Sequence, residues 1–435
     1  MNFKVLLTSA SILALSACSN QSDNQDSALD YAAEAQRIAQ ETIILDGHID
    51  IPYRLGSKWE DVSVATDGGD FDYPRAVAGG LNAPFMSIYT PAGLGDSEAS
   101  TAHADKMIDI VERMVEESPD KFVIARNPVE VQAAFRAGKI ALPLGLENGS
   151  PINGDMGNLE HFFTRGIRYI TLAHSISNHI SDSSYDEVRL WNGLSDFGKD
   201  VVVRMNELGI MVDISHLSDD AAAQILDMSP VPVIASHSSA RTFTPGFERN
   251  MSDDLLKKLA ENNGVIMINY GSSFIFMAPQ DWGKALDAAL AAKVEAGEIE
   301  DTPESRSAFA LEYREANPYP YATLSQVADH IDHVVKVAGI DTVGLGSDYD
   351  GVGDSLPIGL KDASTFPNLI EELLKRGYSE ADISKILSGN ALRVWSAVEA
   401  HAEKVRTGEI PLQSEPLVEP ASPDMSDEDE EAAAE

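Results

Sequence analysis

Across residues 30–410, short runs of aliphatic and β-branched residues alternate with longer stretches whose apolar positions recur every three or four residues. Eight runs stand out, at 42–45, 83–89, 140–146, 167–172, 210–214, 231–235, 264–269 and 342–345. The periodic stretches lie at 102–117, 159–165, 197–208, 218–227, 253–261, 324–337 and 379–400. An apolar run without polar alternation suits a strand covered on both faces, and a helix between successive strands is the crossover that parallel pairing needs. Eight such units predict an α/β fold, a closed (β/α)8 barrel of the TIM type, with an open doubly wound sheet as the alternative. The charged stretch 281–321 breaks the repeat and predicts a helical insertion before the last strand, a lid or an interface.

The flanks read differently. Lys4, the apolar stretch 5–15 and the small residues of Leu15-Ser16-Ala17-Cys18 form a signal peptide over residues 1–17, too short to span a bilayer. Leu-Ser-Ala-Cys resembles the bacterial lipobox, in which the cysteine is lipidated. The expectation is therefore an envelope protein anchored at Cys18, with Ser19 favouring the outer membrane and the periplasmic side. Residues 18–29 are a polar tether and 411–435 an acidic disordered tail, leaving 30–410 as the catalytic barrel. Cys18 is the only cysteine, so no internal disulfide forms. With 70 Asp and Glu against 32 Lys and Arg, the net charge of −38 excludes nucleic acid as a partner and leaves membrane contact to the lipid alone.

In a parallel barrel all strands open at their carboxyl ends onto one mouth. The first run leads into Asp46-Gly47-His48-Ile49-Asp50, the third ends at Gly145-Leu146-Glu147-Asn148-Gly149 and the fourth at Leu172-Ala173-His174. The fifth gives Asp213-Ile214-Ser215-His216, the sixth Ser236-His237-Ser238-Ser239-Ala240-Arg241 and the eighth Gly346-Ser347-Asp348-Tyr349-Asp350-Gly351. His48 and Asp50, two apart, share one face of a strand. Glu147 at the end of an apolar strand is costly to bury without a cation or a hydrogen-bonding partner. Imidazole and carboxylate without thiolate suit zinc or a similar first-row ion at a catalytic site. Three histidines and two carboxylates can hold two ions if one carboxylate bridges. Such a pair leaves net positive charge for an oxyanion and brings the pKa of bound water toward about 7. His103, His161, His333 and His401 read as ordinary helix residues and His330 as one that orders its helix, while His179 and Tyr270 are further candidates for the cleft. Gly344-Leu345-Gly346-Ser347 lacks the last glycine and the helix of a dinucleotide site.

These segments, in this order and extended by Ile51-Pro52 and Leu217-Ser218, resemble the membrane (renal-type) dipeptidases, binuclear zinc peptidases on a barrel related to the amidohydrolases. The resemblance implies that His48 and Asp50 bind one zinc, His216 and His237 the other, and Glu147 bridges them, two Zn2+ per chain. It implies that His174 polarises the scissile carbonyl and that Arg241 clamps the substrate's free carboxylate. Asp348 would hold the attacking water and pass its proton to the leaving amine, the nucleophile being a metal-bridging hydroxide. The implied substrate is a dipeptide with a free C-terminal carboxylate, and the family is often dimeric, so a homodimer is expected. Ile49, Asn148 and Ala173 depart from the family's usual Asn, Gly and Thr; they leave the ligand set intact and reshape the pocket. The competing readings are an amidohydrolase-like enzyme acting on a lactone, phosphoester or amidine, and a peptide-binding lipoprotein without catalysis. The first often bridges its metals with a modified strand lysine, which is not seen here. The second would lack a ligand or Asp348, and neither is missing.

Overall fold

The computed structural model describes residue 1 and residues 30–414. The chain divides into two units, Met1–Asp30 and Tyr31–Glu435, and every element named below belongs to the second. The signal sequence beyond Met1, the tether at 18–29 and the tail beyond Ser414 lie outside the described residues. At the start of the tail, the backbone N–H groups of Gln413 and Ser414 donate to Glu207 Oε1 at 2.6 and 3.0 Å.

Among the described residues ten strands form: β1 Ile44–Ile49, β2 Leu81–Tyr89, β3 Phe122–Ile124, β4 Ile140–Leu142, β5 Leu144–Glu147, β6 Ile167–Thr171, β7 Met211–Asp213, β8 Ile234–Ser238, β9 Val265–Ile268 and β10 Val343–Leu345. Eight of them close a parallel barrel in the order β1, β2, β5, β6, β7, β8, β9, β10, with β10 returning to β1 through Asp46 and Leu345. The closed (β/α)8 barrel is therefore the architecture, with one change in its parts. The run at 140–146 is two strands, because Pro143 has no N–H for the ladder and breaks it. β4 pairs with β3 in a separate two-stranded sheet, while β5 enters the barrel beside β2.

Alternation along each strand sorts the core into two layers. On β9, Val265 and Met267 belong to a cluster that includes Leu45, Phe85, Tyr169, Met211 and Ile234, the filling of the barrel. Ile266 and Ile268 join the larger cluster between strands and helices. Trp395, on the helix Asn390–Arg406, packs on Phe85 at 5.2 Å between ring centroids and closes the floor. Each large side chain so buried contributes roughly 1.5–3 kcal/mol, which lets the fold hold without a disulfide.

The expected insertion is two helices, Met277–Glu295 and Pro303–Ala316, between β9 and β10. Arg314 ties its end to the loop after β10, donating to Asp354 O at 2.6 Å and pairing with the Asp354 carboxylate at 2.9 Å. Among the described residues no helix is long and apolar enough to cross a membrane.

Candidate active site

The carboxyl ends of the strands carry the chemistry. Glu147 is the last residue of β5, 4% exposed, and its two oxygens face opposite ways into a ring of imidazoles. Oε2 lies 3.4 Å from His48 Nε2, while Oε1 lies 3.2 Å from His216 Nε2, 3.3 Å from His237 Nε2 and 3.4 Å from His174 Nε2. His48 Nε2 is also 3.5 Å from Asp50 Oδ2, and the Nε2 atoms of His216 and His237 are 2.9 Å apart. Three groups of donor atoms fall within 4.8 Å of one another: His48, Glu147 and His237; Glu147, His174 and His216; and His48, Asp50 and Asp348. The five expected ligands and the two expected catalytic side chains thus converge. His174 comes as close to Glu147 as the expected ligands do.

The backbone bends to bring them there. His216 and Asp348 both adopt left-handed φ, 69° and 62°, at a cost of the order of 1 kcal/mol each for residues with a Cβ. At the seam between β1 and β10, Asp46 Oδ1 accepts from the backbone N–H of His48 at 3.0 Å and of Ser347 at 2.9 Å. Asp348 N–H then donates to His48 O at 3.0 Å, and Asn269 Nδ2 donates to Asp348 Oδ2 at 2.7 Å. His237 is held through its other ring nitrogen, with Nδ1 2.7 Å from Ser236 Oγ. Ser236 Oγ in turn donates to Asp213 Oδ2 at 2.6 Å. A hydroxyl–carboxylate relay of this kind leaves the His237 Nε2 lone pair facing the cluster.

Electrostatics separates the roles. Burial alone would raise the Glu147 carboxyl, but the four imidazoles gathered around it, His48 and His174 foremost, hold it well below the usual carboxylate range. Burial keeps the imidazoles of His216 and His237 well below their ordinary value, hence neutral and able to donate a lone pair. Asp348 goes the other way: burial first, then the neighbouring Asp50 and Glu147, push its carboxyl up to about 7, where it can hold or release a proton. His48 Nε2 and Asp50 Oδ1 are buried with no hydrogen-bond partner. Orphaned donors of imidazole and carboxylate type, gathered around one carboxylate, fit divalent metal.

Above the cluster opens a cavity of about 530 Å³ floored by Asp50, Glu147, His174, His216 and Asp348. Its walls are aromatic, with Tyr53 and Tyr89 on one side and Tyr185 and Phe274 among the others. Sequence reasoning missed these rings, which come from separate elements (the helix Ile51–Ser57, the end of β2, the loop after β6 and the short helix Ser272–Ile275) and share no motif. The cleft's arginine is Arg249, not Arg241. Arg241 spends its fork on Asp219, at 2.6 and 2.5 Å, and on the backbone carbonyls of Asn250 and Glu248 at 2.7 and 3.0 Å, outside the cavity lining. The chain then doubles back, with Arg241 N–H donating to Met251 O at 2.9 Å and Met251 N–H to Ser239 O at 2.8 Å. That return lays Arg249 over the end of β8, where Nη1 donates to Ser238 Oγ at 2.7 Å and Nη2 to His237 O at 2.9 Å. A second arginine on the same loop was the available signal.

Two other candidates stand apart from the cleft. Tyr270 is fully buried between Tyr349 and Phe366, and His179 pairs with Asp96 at 2.7 Å, outside the lining. His330 does order its surroundings: Nδ1 accepts from Ala240 N–H at 3.0 Å and Nε2 donates to Ile275 O at 2.9 Å, pinning the loops after β8 and β9.

With this geometry in place, comparison with known proteins is decisive. The family model for membrane dipeptidases, peptidase family M19, matches residues 32–409. The chain belongs to this family. Among solved structures, the probable dipeptidase PvdM from Pseudomonas aeruginosa matches at a TM-score of 0.75 and 28% identity, over 86% of this chain and 99% of its own. Dipeptidase AC, a metallo peptidase of family M19, matches at 0.67 and 23%, over 82% and 98%. A metallo peptidase from Rhodobacter sphaeroides, liganded with a phosphinate mimic of the dipeptide L-Ala-D-Ala, matches at 0.66 and 24%, over 82% and 99%. These last two share the fold. As a member of the M19 family, the protein is a metal-dependent dipeptidase, a hydrolase.

Proposed function

We propose that this dipeptidase is a binuclear zinc enzyme that cleaves dipeptides carrying a free C-terminal carboxylate. The observation that carries the reading is the division of Glu147, one oxygen toward His48 and the other toward His216 and His237. In this reading His48 and Asp50 hold one ion, His216 and His237 the other, and Glu147 spans both. When bound, the ions would supply Lewis acidity and a hydroxide nucleophile at neutral pH.

The rest falls to side chains of the chain itself. Arg249 binds the substrate carboxylate, its guanidinium already fixed by Ser238 and the His237 carbonyl, and so sets which bond lies over Glu147. His174, kept neutral by burial, donates from its ring to the scissile carbonyl oxygen as charge develops there. Asp348, with Oδ2 held by Asn269, takes the proton of the attacking water and returns it to the leaving amine nitrogen. No lysine is among the residues lining the cavity, so nothing favours a lysine-bridged lactonase or phosphotriesterase.

Metal analysis of the purified protein beside a panel of L,L- and L,D-dipeptides tests this reading. Two zinc ions per chain and turnover are expected; full metal loading with no turnover on any member would remove it. The Leu15-Ser16-Ala17-Cys18 lipobox supports a lipid anchor at Cys18 in the bacterial envelope, at the outer membrane facing the periplasm. Cys18→Ser should move the protein from the membrane fraction to the soluble one. A homodimer completes the proposal, and light scattering on the soluble domain checks it.

A further inference from the structure

We propose that Tyr169 is the positioning residue for His48, and that Gly145 is glycine so that the phenol can reach it. The inference rests on the metal reading above and extends it to a residue below the cluster. Register sets the frame: along β5 and β6, Gly145 pairs with Tyr169 and Glu147 with Thr171. Residues two apart on a strand share a face, so Gly145 and Tyr169 form the interior layer directly beneath Glu147 and Thr171.

In that layer Tyr169 is fully buried. A Cβ on Gly145 would lie 2.0 Å from Tyr169 Cζ and 2.3 and 2.4 Å from its two Cε atoms. The ring therefore occupies the space any other residue at 145 would fill. Phe85 supports it at 5.1 Å between ring centroids. Held this way, the phenol crosses the barrel past β5 and β2 to β1, and its Oη lies 2.8 Å from His48 Nδ1.

A histidine that binds metal through Nε2 must carry its proton on Nδ1, and the partner of Nδ1 fixes both tautomer and ring direction. For His237 that partner is Ser236, backed by Asp213. For His48 it is Tyr169, a neutral hydroxyl. His216 Nδ1 is buried with no partner at all. Tyr169 is therefore what aims His48 Nε2 at Glu147 Oε2 and Asp50 Oδ2.

Tyr169→Phe removes the hydroxyl and leaves the ring in its slot, so the apoprotein should melt within a few degrees of the natural protein. Zinc affinity is read on both proteins by competition with a chromophoric chelator. The expected result is two classes of ion in the variant, one bound as before and one weakened about 10–100-fold, the usual effect of losing a ligand's supporting hydrogen bond. Gly145→Ala, which crowds the ring, should weaken the same ion. If the natural protein and Tyr169→Phe both hold two ions equally tightly, the positioning role is wrong while the two-metal reading stands. If the natural protein holds no ion, both are wrong.

Discussion

Arg249 and Arg241 provide the sharpest separation between motif and geometry. Of the Arg249 donors, one on each terminal nitrogen goes to Ser238 Oγ and His237 O, and the side chain, 3% exposed, lines the cleft. Two charge-assisted hydrogen bonds to a substrate carboxylate are worth roughly 1.5–3 kcal/mol each. Arg249→Ala should therefore lower kcat/KM for a dipeptide by roughly 10²–10⁴. Arg249→Lys, which keeps the charge and loses the fork, should fall between. Arg241→Ala removes a pair whose acid, Asp219, is 39% exposed, together with two contacts to the backbone around Arg249. It should cost about 1 kcal/mol or less of stability, and a few-fold in kcat/KM through loosening of that loop. The assay is steady-state kinetics on a dipeptide and on its C-terminal amide. Arg249→Ala should erase the preference for the free acid, and Arg241→Ala should preserve it. The opposite pattern would refute the assignment of the clamp.

Three further perturbations probe the cluster and its supports. Asp348→Asn keeps an oxygen for Asn269 and loses the proton carrier, so kcat should fall about 10²–10⁴-fold with metal content unchanged by elemental analysis. Gly351→Ala would place a Cβ 2.1 Å from Asp50 Oδ2 and 2.3 Å from Asp348 Oδ1, and the displaced carboxylates should cost at least about 10²-fold in activity while circular dichroism stays native. Burial pushes His330 from 6.5 down to about 4. An unfolded chain therefore binds a proton below about pH 6.5 that the native state refuses until about pH 4, and stability falls across that window as pH drops, by roughly 3 kcal/mol. The difference in urea midpoints between the natural protein and His330→Gln, followed from pH 7 to 4, should shrink in step; a constant difference would refute it.

The barrel and most of its cleft were legible because both depend on period and position. Strands covered on both faces write their apolar runs plainly, and parallel topology gathers whatever follows them, which is why His48, Glu147, His174, His216, His237 and Asp348 could be named together. Pro143 was visible too, but its effect was not. Whether a proline ends a strand or merely interrupts a run depends on which neighbour needs the N–H, and here β3 and β2 claim opposite sides of it. Arg249 was hidden for a related reason. Its place is set by the return of the chain from Ala240 to Met251, a pairing that no local pattern announces.

The chemistry occupies a single layer because of strand register. Register aligns Glu147 with Thr171 and Thr171 with Asp213, so one turn of the barrel carries the central carboxylate and the groups that brace its ring. Thr171 Oγ1 donates to Asp213 Oδ2 at 2.5 Å, and Asp213 holds Ser236, which holds His237. Two residues lower on each strand, Gly145, Tyr169 and Met211 align in turn, and only Tyr169 sends a polar atom upward. The apolar filling thus ends directly beneath the donors. Left-handed turns at His216 and Asp348 then fold two more side chains inward from loops that would otherwise carry them past the mouth. Strain at these two positions and order in the layers below are parts of one arrangement: a rigid floor is what allows a strained rim to persist.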